Sequence, residues 1–199
     1  LGELSRAMKT YRRSVQIQKE IGDREGEAAS LLSIGDIFTQ QGEYSDGEEY
    51  YERAHAIALE IKSKMLLAYI NLGFTILRLE RGDLADAEES LKQSISFMDE
   101  LASKDIDAHV HLVSGRISAK LKKWEEAESS FRESIDIFES IRNSFNLGQV
   151  YYHLGLMFNE SAEQDKARKN FDEAQKIFEK LGSQIWIEKI KTGRKAKSI

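Results

Sequence analysis

Residues 47–57 have the sequence GEEYYERAHAI, and residues 87–97, forty positions later, have the sequence AEESLKQSISF. Both place a small, a bulky, a small and an apolar side chain at offsets of 0, 4, 7 and 10. The order occurs five times without insertion or deletion, beginning at Ala7, Gly47, Ala87, Ala127 and Ala167. Because these offsets lie along one stripe of an α-helix, the sequence predicts five copies of one amphipathic helix.

A second kind of helix alternates with the first and carries its own column of small residues at Ala28, Ala68, Ala108 and Gly148. Together the two kinds predict an all-α chain of ten helices: 3–21, 24–41, 44–61, 64–81, 84–101, 104–121, 124–141, 144–161, 164–181 and a last helix that includes 185–190. A helix pair of this kind cannot bury its apolar face alone, so a repeat of forty residues predicts a stacked array.

The composition limits the class of protein. The 199 residues include no cysteine, which excludes disulfides and thiolate metal sites and is compatible with the cytoplasm, where we expect the protein. The sequence has no apolar run long enough to predict a membrane span, and its net charge of −5 argues against nucleic acid as a partner. The chain begins within a repeat, from which we expect it to be part of a longer protein.

The turn between the two kinds of helix carries the most specific motif. Residues 24–61 contain Leu31, Ile34, Gly35, Phe38, Gly42, Tyr44, Gly47, Tyr51 and Ala54, and a second match has Gly155, Phe158, Ala167, Phe171 and Ala174. This pattern resembles the tetratricopeptide repeat (TPR). The resemblance implies a right-handed superhelical solenoid of antiparallel helix pairs, in which the second kind of helix is the family's helix A and the first kind is helix B.

The resemblance also implies one solenoid over residues 1–199. Its parts would be helix B of a truncated repeat, four full repeats, and a capping helix with a basic tail, at 1–23, 24–63, 64–103, 104–143, 144–183 and 184–199. The period is 40 where the family's usual period is about 34. The displaced pair Leu72-Gly73 leaves the register of 64–83 open. HEAT or armadillo repeats are the alternative architecture, although the glycine and aromatic at the turn favour the TPR.

No catalytic motif accompanies the repeat, so the sequence predicts neither an enzyme, a cofactor nor a metal site. His109 and His111 are two residues apart and would lie on nearly opposite sides of a helix. Paired carboxylates such as Glu48-Glu49 recur with the repeat, which is typical of a solvated helix face. The tail lysines and arginine, Lys189, Lys191, Arg194, Lys195 and Lys197, are interpreted as a frayed end rather than a nucleic-acid or membrane site.

The resemblance implies that the A helices line a concave groove. The candidate partner-binding residues are Asp36, Thr39, Gln40, Tyr69, Ile76, Glu80, His109, Arg116, Lys120, Gln149, Tyr152, Asn159 and Glu160. Apolar neighbours in the same columns are Ala29, Leu32, Leu72, Leu79, Leu112, Ala119 and Leu156, of which Leu32, Leu72 and Leu112 have an equally weighted interpretation as core.

Two functional hypotheses follow. The first is a non-catalytic scaffold that binds a peptide or helix of a protein partner in the groove. The second is a sensory or regulatory module of a larger signalling protein, with possible self-association through its end repeats. Neither hypothesis includes a small-molecule substrate.

Overall fold

The computed structural model describes residues 2–195, with the side chains of Glu3, Met98 and Asp99 left out of the description. Over this part of the chain the secondary structure is helical and contains no strand, which confirms the predicted fold class. The helices are α1 (Gly2–Ile21), α2 (Arg24–Gln41), α3 (Tyr44–Glu60), α4 (Lys64–Arg81), α5 (Leu84–Ile95), α6 (Met98–Leu101), α7 (Lys104–Lys120), α8 (Trp124–Ser140), α9 (Ser144–Glu160), α10 (Gln164–Leu181) and α11 (Gln184–Lys195).

Helix A packs on the following helix B in four hairpins, α2 with α3, α4 with α5, α7 with α8, and α9 with α10. Most predicted boundaries are correct to within a residue. The single helix predicted over 84–101 is wrong, because the helix is interrupted at Ser96 and Phe97. There the Phe97 N–H donates to the Ser94 carbonyl at 3.1 Å, an i to i+3 bond that tightens the turn.

A residue of left-handed backbone conformation follows the helices at a spacing of 20 residues. Glycine occupies positions 22, 42, 82 and 182, with φ between 71° and 96°. Positions 62, 102, 122, 142 and 162 have Lys, Ala, Lys, Arg and Ala instead, with φ between 45° and 63°. Each of these residues ends one helix and turns the chain toward the next.

The chain divides into two compact units, Leu1–Ala102 and Ser103–Ile199. The core of the first unit is built around Tyr51 and Leu77, and that of the second around Phe131 and Phe178. Within each unit a ring of helix B packs on a glycine of helix A. A Cβ at Gly35 would overlap the Tyr51 ring at Cε1, so this contact excludes a side chain.

The predicted frayed tail is wrong as far as Lys195, because α11 is helical to that residue. Its Trp186 ring stacks on Phe178, with 5.0 Å between the ring centroids. The Arg194 guanidinium donates to Asp172 at 2.8 Å, which fixes the last turn to α10. Lys197 lies outside the described residues. No helix in the described part of the chain combines the length and apolarity needed to cross a membrane.

Candidate partner-binding surface

In the first unit, the A helices α2 and α4 carry the predicted surface. Asp36, Gln40 and Glu80 are exposed, and Tyr69 and Ile76 are half-buried. Within this unit the exposed carboxylates of Asp36 and Glu80 therefore lie on neighbouring A helices that contact one another.

One predicted member of this surface, Thr39, is buried and lies inside the hairpin. Its hydroxyl is 3.2 Å from the Tyr51 hydroxyl, which also donates to Oδ1 of Asp36 at 2.8 Å. Burial raises the pKa of Tyr51, and the Asp36 carboxylate raises it further, so the phenol stays protonated as a donor. Thr39 and Tyr51 thus position Asp36, and Thr39 itself is not accessible to a partner.

In the second unit, the A helices α7 and α9 carry the predicted residues. Lys120 and Glu160 are exposed, while Arg116 and Gln149 are half-buried. The Gln149 amide donates to Oδ1 of Asn146 at 3.2 Å. This unit therefore presents Arg116 and Lys120 one turn apart on α7.

Three other predicted residues of the second unit are packed within it. The His109 ring meets Phe138 of α8 edge-on at 5.0 Å, and Tyr152 lies 5.5 Å from the ring of Trp186. Asn159 is buried, and its amide donates to the Gly193 carbonyl at 3.3 Å. Asn159 joins α9 to the last helix and is inaccessible to a partner.

The apolar residues of the predicted groove belong mainly to the core. Leu72 and Leu112 are only 4 % exposed, and Leu32 packs against the core of the first unit. These three leucines therefore pack as core residues. Ala29 is exposed, and Leu156 is half-buried.

Sequence reasoning missed two residues of the second unit, His153 on α9 and Lys189 on α11. Burial lowers the pKa of His153 well below its ordinary value, and the positive charges of Arg116, Lys189 and Lys120 lower it further. Two cations of α7 and one of α11 thus act on one imidazole. Lys189 also lies over the Trp186 ring, with Nζ 4.5 Å from its centroid.

Lys189 was recoverable from the sequence, since it continues the column of Tyr69, His109 and Gln149 by one more period of 40. His153 carried no such signal, because its column otherwise holds Ser33, Gly73 and Val113.

The arrangement of Arg116, Lys120 and Lys189 offers attraction of anionic groups. Among the described residues, no cluster of three or more His, Asp or Glu side chains has an arrangement suited to a metal ion.

Repeated antiparallel helix pairs with a small-to-ring contact define a helical-hairpin repeat protein. The chain belongs to the tetratricopeptide repeat family, whose model matches residues 1–60 and 108–180. The segment between the two matched ranges contains the hairpin in which helix B is interrupted at Ser96 and Phe97.

The solved structures that are similar to this chain include the following two. BtubC (BKLC) from P. vanneervenii is 19 % identical, with a TM-score of 0.67, over 96 % of this chain and 83 % of that one. Aspartyl phosphate phosphatase F from Bacillus subtilis is 16 % identical, with a TM-score of 0.70, over 96 % of this chain and 52 % of that one. The chain thus spans about half of the phosphatase. At these identities the likeness concerns the fold alone. A comparison with curated proteins found no match.

Proposed function

We propose that this chain is a non-catalytic scaffold that binds a peptide or helix of a protein partner on the exposed faces of its A helices. Membership of a family whose domains bind protein partners supports the general role. The single observation that carries the finer proposal is the positively charged surface at the end of α7, where the half-buried Arg116 and the exposed Lys120 lie one turn apart.

The charge of this surface selects the partner. A segment with two or more carboxylates would complement Arg116 and Lys120, and hydrogen bonds between charged groups contribute about 1.5–3 kcal/mol each. We expect the partner to carry an apolar anchor beside its acidic residues as well. The partner is therefore an acidic segment with at least one apolar side chain.

The test uses the whole chain as bait for an interacting protein and then measures the affinity of the purified pair. The variant Arg116→Glu/Lys120→Glu should weaken binding by about tenfold or more, the equivalent of about 1.4 kcal/mol. The control Lys122→Glu/Lys123→Glu makes the same charge change in the turn that follows α7, and it should bind nearly as the wild type does. Equal affinity of the wild type and the α7 variant would contradict the proposal.

A further inference from the structure

Within the second unit, helix α9 contacts both α7 and α11. Each of the three helices carries a half-buried side chain that ends in nitrogen, and α7 carries an exposed lysine one turn further along. We call these four residues the basic cluster: Arg116, Lys120, His153 and Lys189.

Ring contacts place Lys189 of α11 beside α9. Its ammonium Nζ lies 4.5 Å from the centroid of the Trp186 ring, and that ring lies 5.5 Å from the ring of Tyr152. The Tyr152 ring is in turn 5.2 Å from the imidazole of His153. A cation of α11 is therefore held on the part of α9 that carries this imidazole.

The two cations of α7 reach the same part of α9. Arg116, Lys120 and Lys189 all act on the His153 ring through their positive charges. Like charges gathered around one half-buried ring repel one another, so a bound anion stabilises the arrangement. The cations surround a single point instead of following a line, which favours one compact anion with more than one charge.

A phosphomonoester has these properties. It carries a charge of about −1.5 to −2 at neutral pH and three strong acceptor oxygens on one phosphorus atom. A carboxylate carries one charge and two oxygens. The planar guanidinium of Arg116 matches two phosphate oxygens at once, and the lysine ammonium groups supply further donors.

We propose that the basic cluster binds the phosphomonoester group of a phosphorylated residue in the segment of the protein partner. This inference rests on the proposed function, and it names the anionic group that the partner segment carries.

A phosphorylated protein segment suits the basic cluster better than a lipid surface does. Arg116, His153 and Lys189 are half-buried, so the anionic group must reach past the exposed surface, as a side chain of a bound segment can. The phosphate groups of a bilayer lie near one plane and meet exposed side chains first. The net charge of −5 also opposes the approach of the chain to an anionic membrane.

The probes are two compounds of nearly equal charge, about −2 at pH 7.5, namely the N-acetyl amides of phosphoserine and of diglutamate. Each is titrated into the isotope-labelled whole chain, and NMR gives its dissociation constant. The phosphoserine compound should bind about tenfold tighter than the diglutamate compound, and it should shift the amide resonances around His153 and Lys189.

Matched variants of α11 locate the phosphoserine compound. Lys189→Gln should weaken its binding by about fivefold or more. Lys191→Gln, at an exposed position that pairs with Glu188, removes the same charge and should leave binding unchanged. If circular dichroism shows that Lys189→Gln loses helix, Lys120→Gln takes its place, since Lys120 is exposed.

A last measurement identifies the source of the phosphate. Treatment of the captured partner with a protein phosphatase should weaken its binding to the whole chain by about tenfold or more. An unchanged affinity would overturn the inference, because the basic cluster would then hold a free phosphate. Sedimentation of the chain with phosphatidic-acid vesicles that Lys189→Gln abolishes would also overturn it.

Equal affinity for the two probes, or an equal effect of the two α11 variants, would likewise overturn the inference. The proposed function fails separately from it. A partner that binds the wild type and the Arg116→Glu/Lys120→Glu variant equally contradicts the proposed function, whereas a partner that loses affinity only with that variant, and not with phosphatase, contradicts the inference alone.

Discussion

At the scale of single residues, the contact between glycine and a ring determines how closely the two helices of a hairpin approach. We predict that Gly115→Thr lowers the free energy of unfolding by about 1–3 kcal/mol, because its Cβ collides with the Phe131 ring. In a Phe131→Leu background the same change should cost less, since Thr75 and Leu91 occupy these two positions in another hairpin. A double-mutant cycle from urea denaturation measures the difference. Purely additive effects would show that the ring does not enforce the glycine.

His153 provides the second prediction at this scale. Its lowered pKa means that the unfolded chain, with a pKa near 6.5, takes up the proton before the folded chain does. Above pH 6.5, where His153 is neutral in both states, this residue makes its full contribution to the free energy of unfolding. That contribution is lost as the pH falls from 6.5 toward the lowered native pKa. Between about pH 7.5 and pH 5, the unfolding free energy of the wild type should fall more steeply than that of His153→Gln. His55, whose pKa burial also lowers, is present in both proteins and cancels in the comparison. Parallel curves would contradict the prediction.

At the scale of the elements, the residue after each helix has a left-handed conformation, in which glycine should be more stable than any other residue. Ala162 has φ of 63°, a conformation that costs an L-residue about 1–2 kcal/mol. Ala162→Gly should therefore stabilise the chain by about 0.5–1 kcal/mol, after the entropy gained by the unfolded chain is subtracted. The same substitution at Ala56, exposed within α3, should destabilise it by about 1 kcal/mol. Thermal unfolding measures both, and a change of the same sign in the two variants would contradict the prediction.

The last helix gives a further prediction at this scale. Trp186 is 9 % exposed and packs on Phe178 and Tyr152, so Trp186→Ala should lower the free energy of unfolding by about 3–5 kcal/mol. Lys191→Ala changes an exposed residue of the same helix and should have an effect below about 0.5 kcal/mol. Chemical denaturation distinguishes them. Equal effects would mean that α11 does not cover the core of the second unit.

At the scale of the whole molecule, the repeat predicts the helices well because its period determines both the apolar stripes and the turns. Helix boundaries such as 24–41 and 64–81 follow from positions where the stripe ends. The break at Ser96 depends on a local hydrogen bond that no periodic pattern records. The candidate surface was less predictable. Thr39 and Asn159 lie at sequence positions expected to be exposed, but their side chains form hydrogen bonds to buried partners. His153 lies in a column that holds no other ionisable residue.

The proposed function requires that a protein partner contacts the A helices rather than the B helices. Hydrogen–deuterium exchange of the complex, with the partner captured by the whole chain, tests this claim most directly. Binding should slow exchange in α7 and α9, around Arg116 and His153, and leave α8 and α10 unchanged. Protection confined to α8 and α10, or no protection in either pair of helices, would contradict the account.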